Sequence, residues 1–126
     1  MGTSSQHWAG QARYDIDTAR AMFHSGRHLY VLFCCQQAVE KMLKALVAER
    51  SKELPPRIHN LVRLADAAAL EMSDEQADLL RELSAYYLQT RYPEEISDLG
   101  SQVKENEARR ILDQTEEIVR WLSSML

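Results

Sequence analysis

Several residue types are scarce in this chain of 126 residues, and each scarcity narrows what it can be. There are only two cysteines, Cys34 and Cys35, and they are adjacent. Neighbours on a helix point about 100° apart, which makes a poor disulfide. With no second pair there is neither a disulfide framework nor a zinc-ligand set, and the reading that remains is buried thiols in a reducing compartment. Only four glycines and three prolines occur, and each glycine is read as lying near an element boundary. No Asn-Gly hairpin signal and no sustained period-two alternation of Val, Ile and Thr is found, which argues against strands. No apolar run is long enough to span a bilayer. "MGTSSQHWAG" lacks the basic start and apolar centre of a signal peptide, so the cytoplasm is the expected location. A basic excess is missing too: 15 Lys and Arg face 19 Asp and Glu, a net charge of −4. A protein gripping a nucleic-acid backbone over a wide surface would be basic, so a broad nucleic-acid surface is excluded, whereas a small local anion site or a limited RNA contact is not.

What is present is ordinary for a water-facing globular fold, 45% hydrophobic and 27% charged, and the length suits a single domain over residues 1–126. The patterning reads as all helix. A first helix is expected from after Ser4 or Ser5 to about His24, with Trp8, Ala12, Ala19, Met22 and Phe23 on one stripe. Ser25-Gly26 ends it. The second helix, from about His28 to Arg50, is the longest and most apolar. "SKELPPRIHN" is a loop, because Pro55-Pro56 cannot continue a helix. A short third helix follows from Ile58 or Asn60 to about Glu71. Ser73 with Gln76 is a capping-box pattern opening a fourth, whose inner face is Leu79, Leu80, Leu83, Tyr86 and Tyr87 and which should end near Arg91-Tyr92-Pro93. "EEISDLGSQVK" reads as a polar connection. A last helix spans about Lys104 to Ser123, with Ala108, Ile111, Leu112, Thr115, Ile118, Val119 and Leu122 inward. The expected architecture is all-α, an antiparallel up-and-down bundle of four long helices plus one short helix.

The second helix carries an unusual band in "FCCQQAVEKMLKALV". With Gln36 at 0° on a wheel of roughly 100° per residue, Glu40 falls near ~40°, Lys44 near ~80°, Gln37 near ~100° and Lys41 near ~140°. Five long polar side chains share one side of an otherwise apolar rod. Periodicity alone reads this as a solvated face with a Glu40–Lys44 pair, which at ~0.2–0.5 kcal/mol does not explain the composition.

Taken with three other elements, the band resembles the signature of the HEPN domain family. The elements are "QQAVEKMLKAL" on the second helix, "HNLVRL" after the proline loop, "YYLQTRYPE" at the end of the fourth helix, and Trp8, Ala12, Asp15 and Ala19 on the first. The resemblance covers about residues 7–122. It implies an up-and-down helical bundle, a homodimer, and a separate minimal nucleotidyltransferase subunit as partner in a toxin–antitoxin-like module. Residue by residue it implies a nucleotide-contacting role for Lys41, Lys44, His59 and Arg91, with Gln37 and Glu40 orienting them and Tyr87 or Tyr92 against a base or ribose. Gln36, Asn60, Pro93 and Asp15 match the family pattern as well. The implied ligand is a nucleotide, ATP or GTP; no other cofactor and no metal site is implied.

Each position also has a structural reading. Arg91 can offset a helix dipole or pair with Asp15 or Glu40, His59-Asn60 can cap the third helix, Gln36 and Gln37 can tie down backbone or a dimer interface, and Tyr86-Tyr87 can be core. The nuclease branch of the family uses Arg followed by His after a gap of about four to six residues, an imidazole to move the 2′-hydroxyl proton and a guanidinium to stabilise the phosphorane. Here Arg20 and His24 are separated by three residues, Arg50 and His59 by eight, and no histidine follows Arg91. A non-catalytic accessory subunit is therefore the leading expectation. The alternatives are a metal-independent endoribonuclease with an atypical His59/Arg91 pair, and a dimerising interaction module.

Overall fold

The structure, a computed structural model, describes residues 2–126. Six α-helices follow in order: α1 (Thr3–His24), α2 (His28–Ser51), α3 (Leu61–Ala67), α4 (Asp74–Ser84), α5 (Pro93–Gln102) and α6 (Glu105–Ser123), with a single 3-10 turn at Leu88–Thr90 before α5. No strand forms among the described residues. Among the described residues no helix is long and apolar enough to cross a membrane.

The central rod is α2, because it is buried almost all round, its polar band included. Val31, Leu32, Cys35, Ala38, Val39, Met42, Leu43, Ala45 and Leu46 are all fully buried. It touches every other helix of the bundle, α1 most extensively and then α6. The α1 face toward α2 is made of small residues, Ser5, Ala9, Ala12 and Ala19 with Ile16, so the two backbones approach closely. Burial on α2, partial for Cys34 and full for Cys35, pushes their thiols up to about 11 and about 12.

Gly26 reverses the chain between α1 and α2. Its φ of +76° is the left-handed geometry of a Schellman cap, in which Arg27 N–H donates to the Met22 carbonyl and Gly26 N–H to that of Phe23. The same device ends α3, but with Ala69 at φ +55°. There Leu70 N–H donates to the Ala65 carbonyl, and the Arg50 guanidinium donates to the Ala68 carbonyl at 2.7 Å. That cap is why α3 stops at Ala67, short of the expected Glu71.

Two further expectations on helix boundaries need correction. Helix α4, opened by the Ser73–Gln76 capping box, ends at Ser84 and not near Arg91. The Ser84 hydroxyl turns back to donate to the Leu80 carbonyl (2.9 Å) and accepts the Leu61 amide (3.2 Å), so the end of α4 is pinned to the start of α3. The stretch after Tyr92 is helix α5, not a polar connection. Pro93 takes its first position, Glu94 and Glu95 lie in its first turn, and Glu95 Oε1 accepts the Tyr92 amide at 3.1 Å. Gly10, read as a boundary residue, lies in the interior of α1.

Candidate functional site, a buried carboxylate holding a histidine

Gln36, Glu40 and Lys44 recur every four residues and so rise along one side of α2. They are not solvated, as periodicity suggested. Gln36 is fully buried, and Glu40 and Lys44 are only 4% and 6% exposed. Buried charge persists only when paired and hydrogen-bonded, and the partners are all in place. Glu40 Oε1 accepts from Gln36 Nε2 at 2.9 Å, and Oε2 accepts from Lys44 Nζ at 3.1 Å. His59 Nδ1 lies 3.1 Å and 3.2 Å from the two oxygens. Gln37 Nε2 donates to Gln36 Oε1 at 2.7 Å and extends the chain outward. From the other side, the Trp8 ring of α1 sits 5.3 Å from Lys44 Nζ, a cation–π contact that closes water off.

His59 arrives from the loop between α2 and α3. Its neighbour Asn60 is the cap of α3, accepting from Arg63 N–H at 3.1 Å, so the His59 side chain is free to turn back toward α2. The imidazole stacks on Tyr87, centroids 3.9 Å apart and planes 14° from parallel. Tyr87 is in turn tilted against Phe33 of α2, and its hydroxyl donates to Gln89 Oε1 at 2.9 Å. Burial, and secondarily the Glu40 charge, raises the Tyr87 phenol above its ordinary value. The His59 side chain nevertheless stays 42% exposed. An ionised carboxylate only accepts, so Nδ1 is the donor to Glu40 and Nε2 is the ring nitrogen left to meet something from outside. An imidazole oriented this way by a buried acid is equipped to hydrogen-bond a phosphate or to take up a proton.

A sequence model of the HEPN domain matches residues 5–125, nearly the whole chain. The chain belongs to the HEPN domain family. Its fold is similar to that of TT1696 from Thermus thermophilus, at 23% identity and a TM-score of 0.81, over 99% of this chain and 100% of that one. It is also similar to ST0689, an archaeal HEPN homologue, at 20% identity and a TM-score of 0.69, over 98% of each chain. No curated protein matches the chain.

The other HEPN-pattern residues fall into two groups. Lys41 leaves the Glu40 network and pairs with Asp15 of α1 at 2.8 Å, both side chains mostly buried. Arg91 pairs with neither Asp15 nor Glu40. Its Nη1 reaches Glu95 of α5 at 3.3 Å, Nη2 donates to the Ala85 carbonyl, and its buried Nε has no partner among the described residues. The reason is local: Arg91 lies just before Tyr92, the N-cap of α5, and that helix presents Glu95 four residues on. Arg91 is thus anchored to the same turn, Ala85 to Arg91, whose Tyr87 stacks on His59. Tyr92 is 73% exposed at the start of α5. Arg20, whose spacing to His24 comes nearest to the nuclease pattern, is committed to Asp17 and to Glu116 of α6. Sequence reasoning missed Trp8 as the cover of Lys44, and Glu95 as the partner of Arg91. The second was readable, since a proline followed by two acids is a helix-start signal.

Proposed function

We propose that this HEPN protein is an accessory subunit that recognises a nucleotide at the exposed edge of His59, beside a separate minimal nucleotidyltransferase in a toxin–antitoxin-like module. The observation that carries the reading is the Glu40–His59 contact, which ties one ring nitrogen of a half-exposed imidazole to a buried carboxylate and leaves Nε2 to the ligand. Arg91, on the turn that packs against His59, supplies the second phosphate contact, and its side chain is 29% exposed. Tyr92 offers an exposed ring to a base. Lys41 and Lys44 already face Asp15 and Glu40, so their role here is to hold the acids that shape the site. Gln37 and Glu40 orient the imidazole.

Calorimetry with ATP and GTP on the wild type, His59→Ala and Arg91→Ala tests this. Binding heat in the wild type and its loss in both variants is expected; equal heats in all three proteins remove the site. One observation favours a second reading, an endoribonuclease with an atypical His59/Arg91 pair: a carboxylate-oriented imidazole is also the geometry of a general base. RNA cleavage that survives a chelator and disappears in His59→Ala selects it. A small nucleotidyltransferase in the adjacent reading frame supports the proposed partnership, and its absence there counts against it.

A further inference from the structure

A hollow of about 520 Å³ opens between α1 and α6, away from the His59 site. Met42 of α2 lies at its floor, about 200° round that helix from Glu40 and from Lys44. Ile16 of α1 and Val119 of α6 complete the floor, and all three residues are buried. The rim is charged. It carries three guanidiniums, of Arg13, Arg20 and Arg120, against two carboxylates, of Asp17 and Glu116.

Helix spacing offers each carboxylate a partner on its own helix. Arg13 and Asp17 stand four apart on α1, and Glu116 and Arg120 four apart on α6, the second pair in the favourable order. Neither pair forms. Arg20 takes both acids: its Nη1 donates to Asp17 Oδ1 at 2.7 Å, while Nε and Nη2 fork onto the two Glu116 oxygens at 3.3 Å and 3.0 Å. Arg13 and Arg120 are left with no ion pair and no side-chain hydrogen bond among the described residues. The dipole of α6 accounts for a cation in its last turn, but not for the loss of that cation's own acid. Two uncommitted guanidiniums over an apolar floor, in a chain of net charge −4, have the makings of an anion site.

We infer that this hollow binds a small phosphomonoester with an apolar body, held by Arg13 and Arg120. Two free cations match a dianion, and a phosphomonoester carries about −1.5 to −2 charges at pH 7. A carboxylate matches only one of them. The buried side chains of Ile16, Met42 and Val119 match a carbon body, and the volume lies within the about 300–1,000 Å³ of small-molecule sites. A nucleic-acid strand suits the hollow less well, because its phosphodiesters carry one charge each and the chain has no basic excess. Arg20 is a positioning residue here: it holds the two carboxylates off the other guanidiniums. The inference does not rest on the nucleotide reading, since the two sites share no residue.

Phenyl phosphate is the probe, and the methyl NMR signals of Ile16, Met42 and Val119 are the readout, because they report this hollow and not the His59 site. In the wild-type chain all three signals are expected to shift saturably. Inorganic phosphate lacks a body for the floor and benzoate lacks the second charge, so each is expected to bind about tenfold more weakly or worse. Arg13→Gln and Arg120→Gln change exposed side chains, so the other methyl signals stay in place while affinity for the probe falls about tenfold or more. Arg20→Gln releases Asp17 and Glu116 onto Arg13 and Arg120 and is expected to weaken binding too. Arg20→Gln/Glu116→Gln frees Arg120 again and is expected to restore part of the affinity. Absence of saturable shifts at millimolar probe overturns the inference, as does unaltered affinity in Arg13→Gln and Arg120→Gln. Benzoate binding as tightly as phenyl phosphate overturns the dianion, and inorganic phosphate doing so overturns the apolar body. No recovery in the double variant overturns the positioning role of Arg20.

Discussion

Replacing Glu40 by glutamine exchanges one carboxylate oxygen for an NH2 group and removes one charge, with almost no change in shape. In the native protein Lys44 Nζ is 3.1 Å from Glu40 Oε2, and both side chains are under 10% exposed, at 8% and 6%. Glu40→Gln therefore strands an ammonium group between an uncharged amide and the Trp8 ring, and takes from His59 Nδ1 its charged acceptor. Breaking a buried pair by removing one partner costs about 3–5 kcal/mol. With an unfolding entropy of about 2.1 cal/mol/K per residue, 126 residues give roughly 0.26 kcal/mol/K, so Tm falls by roughly 11–19 °C. The double variant Glu40→Gln/Lys44→Met removes the stranded charge as well. A buried pair replaced by uncharged groups of similar size is often neutral or better, so the double variant is expected to recover to within about 1–2 kcal/mol of the wild type. Thermal and urea unfolding followed by circular dichroism measures both. A single variant within about 3 °C of the wild type, or a double variant as damaged as the single, refutes the reasoning that desolvated charge governs this network.

Two more outcomes follow from local geometry. Ala69 holds a left-handed φ of +55° at an exposed position, so Ala69→Gly relieves backbone strain without losing packing. The variant should gain about 0.5–1 kcal/mol in urea unfolding, and a loss of stability means that the Schellman geometry at α3 is wrong. Glu49, gripped by the Ser5 hydroxyl at 2.7 Å and the Gly2 amide at 3.0 Å, is depressed to about 2. A depressed acid stabilises the fold above the ordinary carboxylate value and stops doing so as pH falls through about 2. The stability gap between wild type and Glu49→Gln should shrink steadily over that interval, and a gap independent of pH rejects the tie between the start of α1 and Glu49.

Much of the bundle could be read from spacing. The inward residues of α6 came directly from its three-and-four periodicity, and the α1–α2 turn from Ser25-Gly26. The opening of α4 came from Ser73 and Gln76, which form both halves of the box. Helix α5 was missed because its acids and glycine look like a connection when apolar periodicity is the criterion, and it buries no residue fully. The end of α4 was missed for a different reason: the Ser84–Leu61 bond and the His59–Tyr87 stack join positions 23 and 28 apart, and no local pattern reports them.

Helix geometry repeats over a few residues, so the order of residues alone set where most of the helices form, which face of α6 is apolar, and which family the polar positions match. The fate of the polar band on α2 was settled by packing between distant parts of the chain. Wheel geometry cannot tell a wetted stripe from a covered one, since the cover comes from elsewhere: Trp8 on Lys44, Asp15 on Lys41, and His59 with Tyr87 on Glu40. Once water is displaced, the same charges that contribute little on a surface must find partners, and that requirement selects who pairs with whom.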